Sequence, residues 1–425
     1  MLADVPIILI LVGLAAYTVL AGADFGAGFW ILFPAGGRTS PAVTRDHARH
    51  AIGPVWEANH VWLIFVLVVC WTAYPVAFGS IMSTLSVPLF VAAIGIILRG
   101  ASYALRGQLD SAPQRRLIEN IFALSSVLTP FALGTVVGAI ASGRVPVGNA
   151  RGDLVTSWLN PTSVLIGALA VATSSYLAAV YLAADARRLV DRTLGFDFRA
   201  RALWAGIVAG ALALGGLVVV RSDARLLFEE LTTGGGLAMV GLSAAAGLAT
   251  LASVWAGRLG PARVSAALAV AAIVGGWSVA QHPRLLPGLT IGQAAAGRAT
   301  LTALVLAVAV GAIVLVPSLV LLFSLFLRGR LDAGPVAAPI IDVPGTKLAD
   351  RSRPLLGFAL VCLVVGTGLM VFADSGWTRV VGITCLCAFA VSAFMLSATM
   401  SDAQGNERRG NRPEYAKFSG QEEQR

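Results

Sequence analysis

The run Val61-WLIFVLVVCWTAYPVAFGSIMSTLSVPLFVAAIGII-Leu98 holds 38 residues and no charge. A helix crossing the hydrocarbon core of a bilayer needs about 20 apolar residues, so this run is nearly twice what one crossing uses. Proline cannot continue a helix without losing a backbone hydrogen bond, and the Tyr74-Pro75 and Gly79 region therefore predicts a tight hairpin between two spans. Backbone groups in lipid must be satisfied within the chain. Segments of this length are about twice a barrel strand, which leaves transmembrane helices.

Working outward, the same criterion marks eleven spans, at 5–33, 54–75, 79–98, 121–141, 161–184, 203–220, 237–256, 264–281, 300–327, 355–373 and 380–400. The composition agrees: of 425 residues 57% are hydrophobic and 12% charged, with mean hydropathy +0.81. A soluble domain carries about 25% charge, so an ordinary soluble enzyme is excluded. The expectation is an all-α, polytopic transmembrane bundle.

The 31 basic residues, 29 of them arginine, decide the topology. Assigned to alternate sides of eleven spans, 24 fall on one side and seven on the other, with Arg99 counted at the cytoplasmic end of the third span. Basic residues collect on the cytoplasmic side, so the N-terminus is expected outside and the C-terminus in the cytoplasm. The net charge of +9 then reports topology, and no nucleic-acid partner is expected. The first span lacks a basic leader and has too long an apolar run for a cleaved signal peptide. Residues 1–330 form the expected nine-helix domain, 331–354 a cytoplasmic linker, 355–400 an extra two-helix hairpin, and 401–425 a polar tail expected to be disordered.

Twenty of the 22 acidic residues fall in loops, tails or span ends. Asp24, in the cytoplasmic half of the first span, and Glu57, at the cytoplasmic entry of the second, do not. An ionisable group at a helix centre costs about 2.5–3.5 kcal/mol on insertion scales, and such groups mark proton or ion paths or pair with a neighbour. Glu57-x-x-His60 puts two side chains on one helical face. Di-metal carboxylate bundles use that spacing, but they need a second Glu-x-x-His, which no other span supplies. No metal site is expected. His60 is the one histidine of four inside a span, too few to hold several haems, and is read as a hydrogen-bonding neighbour of Glu57. Gly22 and Gly26, four apart around Asp24, allow close helix approach. Cys70, Cys362, Cys385 and Cys387 read as small buried apolar residues, and Trp158 and Trp377 as interfacial anchors.

Ala21-Gly22-Ala23-Asp24-Phe25-Gly26-Ala27-Gly28 and Ile52-Gly53-Pro54-Val55-Trp56-Glu57-Ala58-Asn59-His60-Val61-Trp62-Leu63-Ile64 resemble the two signature segments of subunit II of cytochrome bd-type quinol oxidases. Arg99, Gln281-x-Pro283 and Pro317-Ser318 are similar to the family pattern too, and the likeness covers about residues 5–330. The resemblance implies a multi-pass subunit of a bacterial or archaeal cell-membrane oxidase that takes electrons from quinol and reduces dioxygen to water with cytoplasmic protons. It implies haems b and d and the quinol site in a partner, subunit I, and no cofactor bound by this chain alone, with room for a bound quinone or lipid and a small accessory subunit. By position, Asp24 and Glu57 match the family's acidic relay positions, and Trp56 and Asn59 its flanking residues, with His60 and Arg99 in support. Ala21 stands where many relatives carry a second acid, and the pair of helices at 355–400 lies beyond the usual nine. Two other readings of the same acids stay open: a proton-coupled membrane transporter, and a structural partner without a proton role.

Overall fold

The computed structural model describes residues 2–34, 37–50, 55–105, 111–188, 191–327 and 357–366, with scattered positions between 369 and 392. They fall into two compact units that divide after Leu325. In the first, a short 3-10 turn Leu2–Asp4 leads into α1 (Val5–Leu32), followed by α2 (Pro41–His50), α3 (Val55–Ala73), α4 (Pro75–Thr84), α5 (Ser86–Leu105), α6 (Ala112–Ala141), α7 (Pro161–Arg188), α8 (Arg192–Asp223), α9 (Arg225–Leu231), α10 (Gly234–Trp255) and α11 (Leu259–Gln281). A small antiparallel hairpin, β1 (Arg284–Leu286) and β2 (Leu289–Thr290), and the turn α12 (Ile291–Ala294) precede α13 (Arg298–Leu327). Eight helices among the described residues are long and apolar enough to cross a membrane: α1, α5, α6, α7, α8, α10, α11 and α13. Helix α3, at 19 residues, is nearly as long. In the second unit Gly357–Gly366 is a short apolar helix. The expected linker 331–354 and tail 401–425 lie outside the described residues, as does much of the expected hairpin 355–400.

The expected hairpin between the second and third spans takes a different form. Proline is preorganised for the first turn of a helix. Pro75 therefore ends α3 and at once starts α4, with Gly79 inside that helix rather than in a turn. Pro88 sits in the first turn of the next helix, so the third span begins at Ser86 instead of 79 and runs to Leu105. Arg99, expected at the cytoplasmic end, thus lies within α5. Caps extend other helices beyond their apolar stretches: Ser111 accepts from the Gln114 amide at 3.4 Å to start α6, and Asp191 accepts from the Leu194 amide at 2.9 Å to start α8, eleven residues before the expected 203.

Helix α1 packs against α2, α3, α6, α7 and α11. Small residues set these distances. A Cβ at Gly26 would overlap the Ser174 carbonyl of α7, so the two backbones touch. Gly22, its partner in the sequence spacing, has only ordinary contacts at 3.5 Å. Helices α6 and α7 meet along Gly134, Gly138 and Gly167, where a Cβ on Gly134 would stand 2.8 Å from the Gly167 Cα. At one end of the bundle Asp223 closes the loop before α7, accepting from the Thr162 amide at 3.1 Å and hydroxyl at 2.6 Å and pairing with Arg144.

A side chain at Gly26 must push a backbone carbonyl, which cannot swing aside. Gly26→Leu is expected to destabilise by about 3 kcal/mol, the upper end for overpacking, whereas Gly210→Leu, with open space around it, is expected to be silent. Unfolding of the purified protein in detergent checks both.

Candidate functional site

Asp24 and Arg99 meet where α1, α5 and α6 converge. Their side chains are 6% and 2% exposed, and Arg99 Nη2 lies 2.5 Å from Asp24 Oδ1. The guanidinium is held by more than the carboxylate. Nη2 donates to the Asp24 main-chain carbonyl at 3.1 Å, and Nη1 donates to Ser126 Oγ, which itself donates to the Phe122 carbonyl at 2.6 Å. The guanidinium lies over the Phe25 and Phe122 rings, with Cζ 4.8 and 4.5 Å from their centroids, an arrangement in which ring quadrupoles attract the cation. Neither Asp24 carboxylate oxygen accepts an aligned hydrogen bond among the described residues. A net-neutral pair is a far cheaper occupant of the bilayer interior than either charge alone.

Two glycines make room for this pair. A Cβ on Gly28 would overlap Ser126, and one on Gly95 would overlap the Thr129 hydroxyl, so α6 approaches α1 and α5 closely enough for Ser126 to reach Arg99. Helix α3 closes another side. Asn59 donates to the Leu20 carbonyl at 3.4 Å, and the His60 ring stands edge-on to Tyr17 and Phe25, 6.0 Å from each. The structure thus brings Asp24, Arg99, Asn59 and His60 together. Glu57 and Trp56 lie in the first turn of α3, one turn before His60, with side chains outside the described residues.

Two further buried charged residues, Asp197 and Arg201, lie outside the apolar stretches, because α8 starts well before them. Asp197 accepts from the Arg38 and Thr39 amides at 2.9 and 2.7 Å and from the Thr39 hydroxyl at 2.5 Å. Arg201 donates to the Pro34 carbonyl at 2.6 Å and lies over the Phe198 ring. Together with Trp30, which donates to the Ser175 carbonyl at 2.9 Å, they fix the end of α1 that follows Asp24.

Among the described residues no three His, Cys, Asp or Glu side chains gather as a metal site. Of the described histidines, His47 is tied to the Leu182 carbonyl at 3.0 Å, and the His60 ring stands edge-on to Tyr17 and Phe25. An apolar cavity of about 820 Å³ opens beside the site, between α1, α6, α7, α8, α10 and α11, with Leu14, Leu133, Leu169, Leu217 and Val270 in its walls.

The family model for cytochrome bd terminal oxidase subunit II matches residues 2–326. The chain belongs to this family. The match spans the first compact unit, and membership together with the eight long apolar helices makes the chain a multi-pass membrane protein. Cytochrome bd ubiquinol oxidase subunit 2 of Bacillus subtilis (strain 168) is 26% identical over 140 residues, 33% of this chain and 40% of that protein. Putative cytochrome bd menaquinol oxidase subunit II of the same strain is 22% identical over 215 residues, 50% of this chain and 61% of that protein. The alignments therefore span about half the length of these relatives. In the structure of bd oxidase from Geobacillus thermodenitrificans, one chain superposes with TM-score 0.64 at 24% identity, covering 77% of this subunit II chain and 99% of that one. This likeness shows the helical fold.

Removing Arg99 alone strands a buried carboxylate. Arg99→Leu is expected to cost about 3–5 kcal/mol, and the double variant Asp24→Leu with Arg99→Leu is expected to be more stable than that single variant. A double-mutant cycle on thermal unfolding checks the sign.

Proposed function

We propose that this chain is the non-haem subunit of a quinol:dioxygen oxidoreductase in a bacterial cell membrane, and that Asp24 and Glu57 carry protons toward the partner's oxygen-reducing haem. The observation that carries the reading is a carboxylate buried in a membrane helix, paired with Arg99 yet with its oxygens open to a further hydrogen bond. Family membership supplies the rest: the relatives' names specify quinol oxidases, one of ubiquinol and one of menaquinol, so the substrate class is a quinol. Haems b and d in a partner subunit I would pass electrons from quinol to dioxygen.

Reduction of dioxygen to two waters consumes four protons, and this chain's part is to deliver them. The strong excess of arginine on one side supports a cytoplasmic C-terminus, which puts Glu57 at the cytoplasmic mouth and Asp24 deeper in the membrane. A proton taken up at Glu57 passes to Asp24, with His60, Asn59 and Trp56 around the route. Arg99 holds Asp24 in place. The apolar cavity beside the site is wide enough for the tail of a quinone or the acyl chains of a lipid. The extra hairpin expected at 355–400 would be a fused accessory element that covers a face of the oxidase, or an unrelated extension.

Oxygen consumption by the purified complex tests the relay. Glu57→Ala and Asp24→Asn are each expected to lower turnover by about a hundredfold with haem absorbance unchanged, and Glu57→Asp to keep most of it. Full turnover in both of the first two variants would leave this chain a purely structural partner.

A further inference from the structure

Tyr17 stands on the face of α1 that also carries Ala21 and Phe25, at successive turns. It is 5% exposed, and its ring meets Phe25 and His60 edge-on, with centroids 6.4 and 6.0 Å away. The packing neighbours in this cluster are otherwise apolar: Ala21, Trp62, Leu63 and Leu133. Its hydroxyl oxygen is buried and has no hydrogen-bond partner among the described residues. The group lies within electrostatic reach of both Asp24 and Arg99. Tyr17 also forms part of the wall of the large cavity, next to Thr18, Gly22 and Phe25.

Packing alone does not account for a phenol here. A phenylalanine would fill the same space and leave no buried O–H unpaired, and buried polar groups in folded proteins find a partner, ordered water included. The position gives the hydroxyl a use. It lies about two helical turns from Asp24, and between them Ala21 offers only a methyl group, so no other side chain on that face of α1 can carry a proton along it.

We propose that the Tyr17 hydroxyl is a further proton-relay group, linking Asp24 through ordered water to the N-terminal half of α1. The inference rests on the reading of Asp24 as a proton carrier. In each transfer the Tyr17 oxygen accepts a proton from a water on the Asp24 side while its own O–H bond breaks and that proton leaves to a water on the far side. One O–H bond forms as one breaks, the phenol stays neutral, and no electron moves. Tyr17 acts through Asp24 as a positioning and relay group.

The test compares the unaltered chain, Tyr17→Phe and Asp24→Asn in the whole purified complex, by oxygen consumption in H₂O and D₂O with haem absorbance recorded. Tyr17→Phe keeps the ring and deletes the O–H. The expected result is unchanged haem absorbance, turnover lowered by about tenfold and a larger solvent deuterium effect. Unchanged turnover in Tyr17→Phe beside an inactive Asp24→Asn overturns this inference and leaves the Asp24 reading standing; full activity in Asp24→Asn overturns both. Lower turnover with an unchanged deuterium effect assigns Tyr17 to packing and also overturns it. Should Tyr17→Phe lose haem absorbance, a fluorotyrosine at position 17 keeps the shape and acidifies the phenol. The described titratable or charged groups near it are Asp24, Arg99 and His60. A relay then shifts the pH profile of turnover, and an unshifted profile overturns the proposal.

Discussion

A carboxylate and a guanidinium buried together in the lipid-spanning part of a helical bundle constrain everything around them. Either charge alone would be expelled to the interface or left at a cost of several kcal/mol, so Asp24 on α1 and Arg99 on α5 must be brought into contact during assembly. That requirement fixes the rotation of both helices. It also fixes the place of α6, whose Ser126 and Phe122 complete the surroundings of the guanidinium. The hydrophobic effect cannot drive helices together inside lipid, so a charge pair of this kind supplies specificity that apolar packing lacks.

The small residues are the other half of the same constraint. Gly28 and Gly95 let α6 reach α1 and α5, Gly26 lets α7 touch α1, and Gly134, Gly138 and Gly167 seat α6 on α7. Helix α7 is consequently deeply enclosed, with an unbroken buried stretch from Ala172 to Val180. Helices α8 and α10 carry glycines such as Gly210 and Gly247 with open space beside them, and both line the large cavity.

Much of this was legible in the sequence, for physical reasons that also explain what was not. Asp24 was visible because a charge in an apolar run has no cheap structural excuse. Helix type followed from hydrocarbon thickness, whereas eight helices among the described residues are long and apolar enough to cross, against eleven expected spans. Arg99 was misplaced because hydropathy measures where apolar residues stop, whereas the helix itself continues past the charge: α5 runs on to Leu105 and so holds Arg99 in its interior. Asp197 and Arg201 were missed by the same mechanism at the start of α8. Ser126 left no signal, since a serine in a membrane helix usually bonds its own backbone, and this one does so while also accepting from Arg99. The spacing of Gly22 and Gly26 pointed to close approach, of which only Gly26 makes a backbone contact.

The redundancy of the ties on Arg99 has a consequence for time as well as for geometry. The guanidinium rests on a main-chain carbonyl, a serine hydroxyl and two aromatic faces, none of which changes charge. Neutralising the Asp24 carboxylate removes the charge that balances the buried cation but leaves these ties on the guanidinium in place. Collective helix motions run on the microsecond to millisecond scale, but a site whose framework stays still through a change of charge does not have to wait for them. The pair behaves as a stiff polar insert with little reorganisation to undergo, so side-chain and water motions, far faster than helix motions, would set its pace.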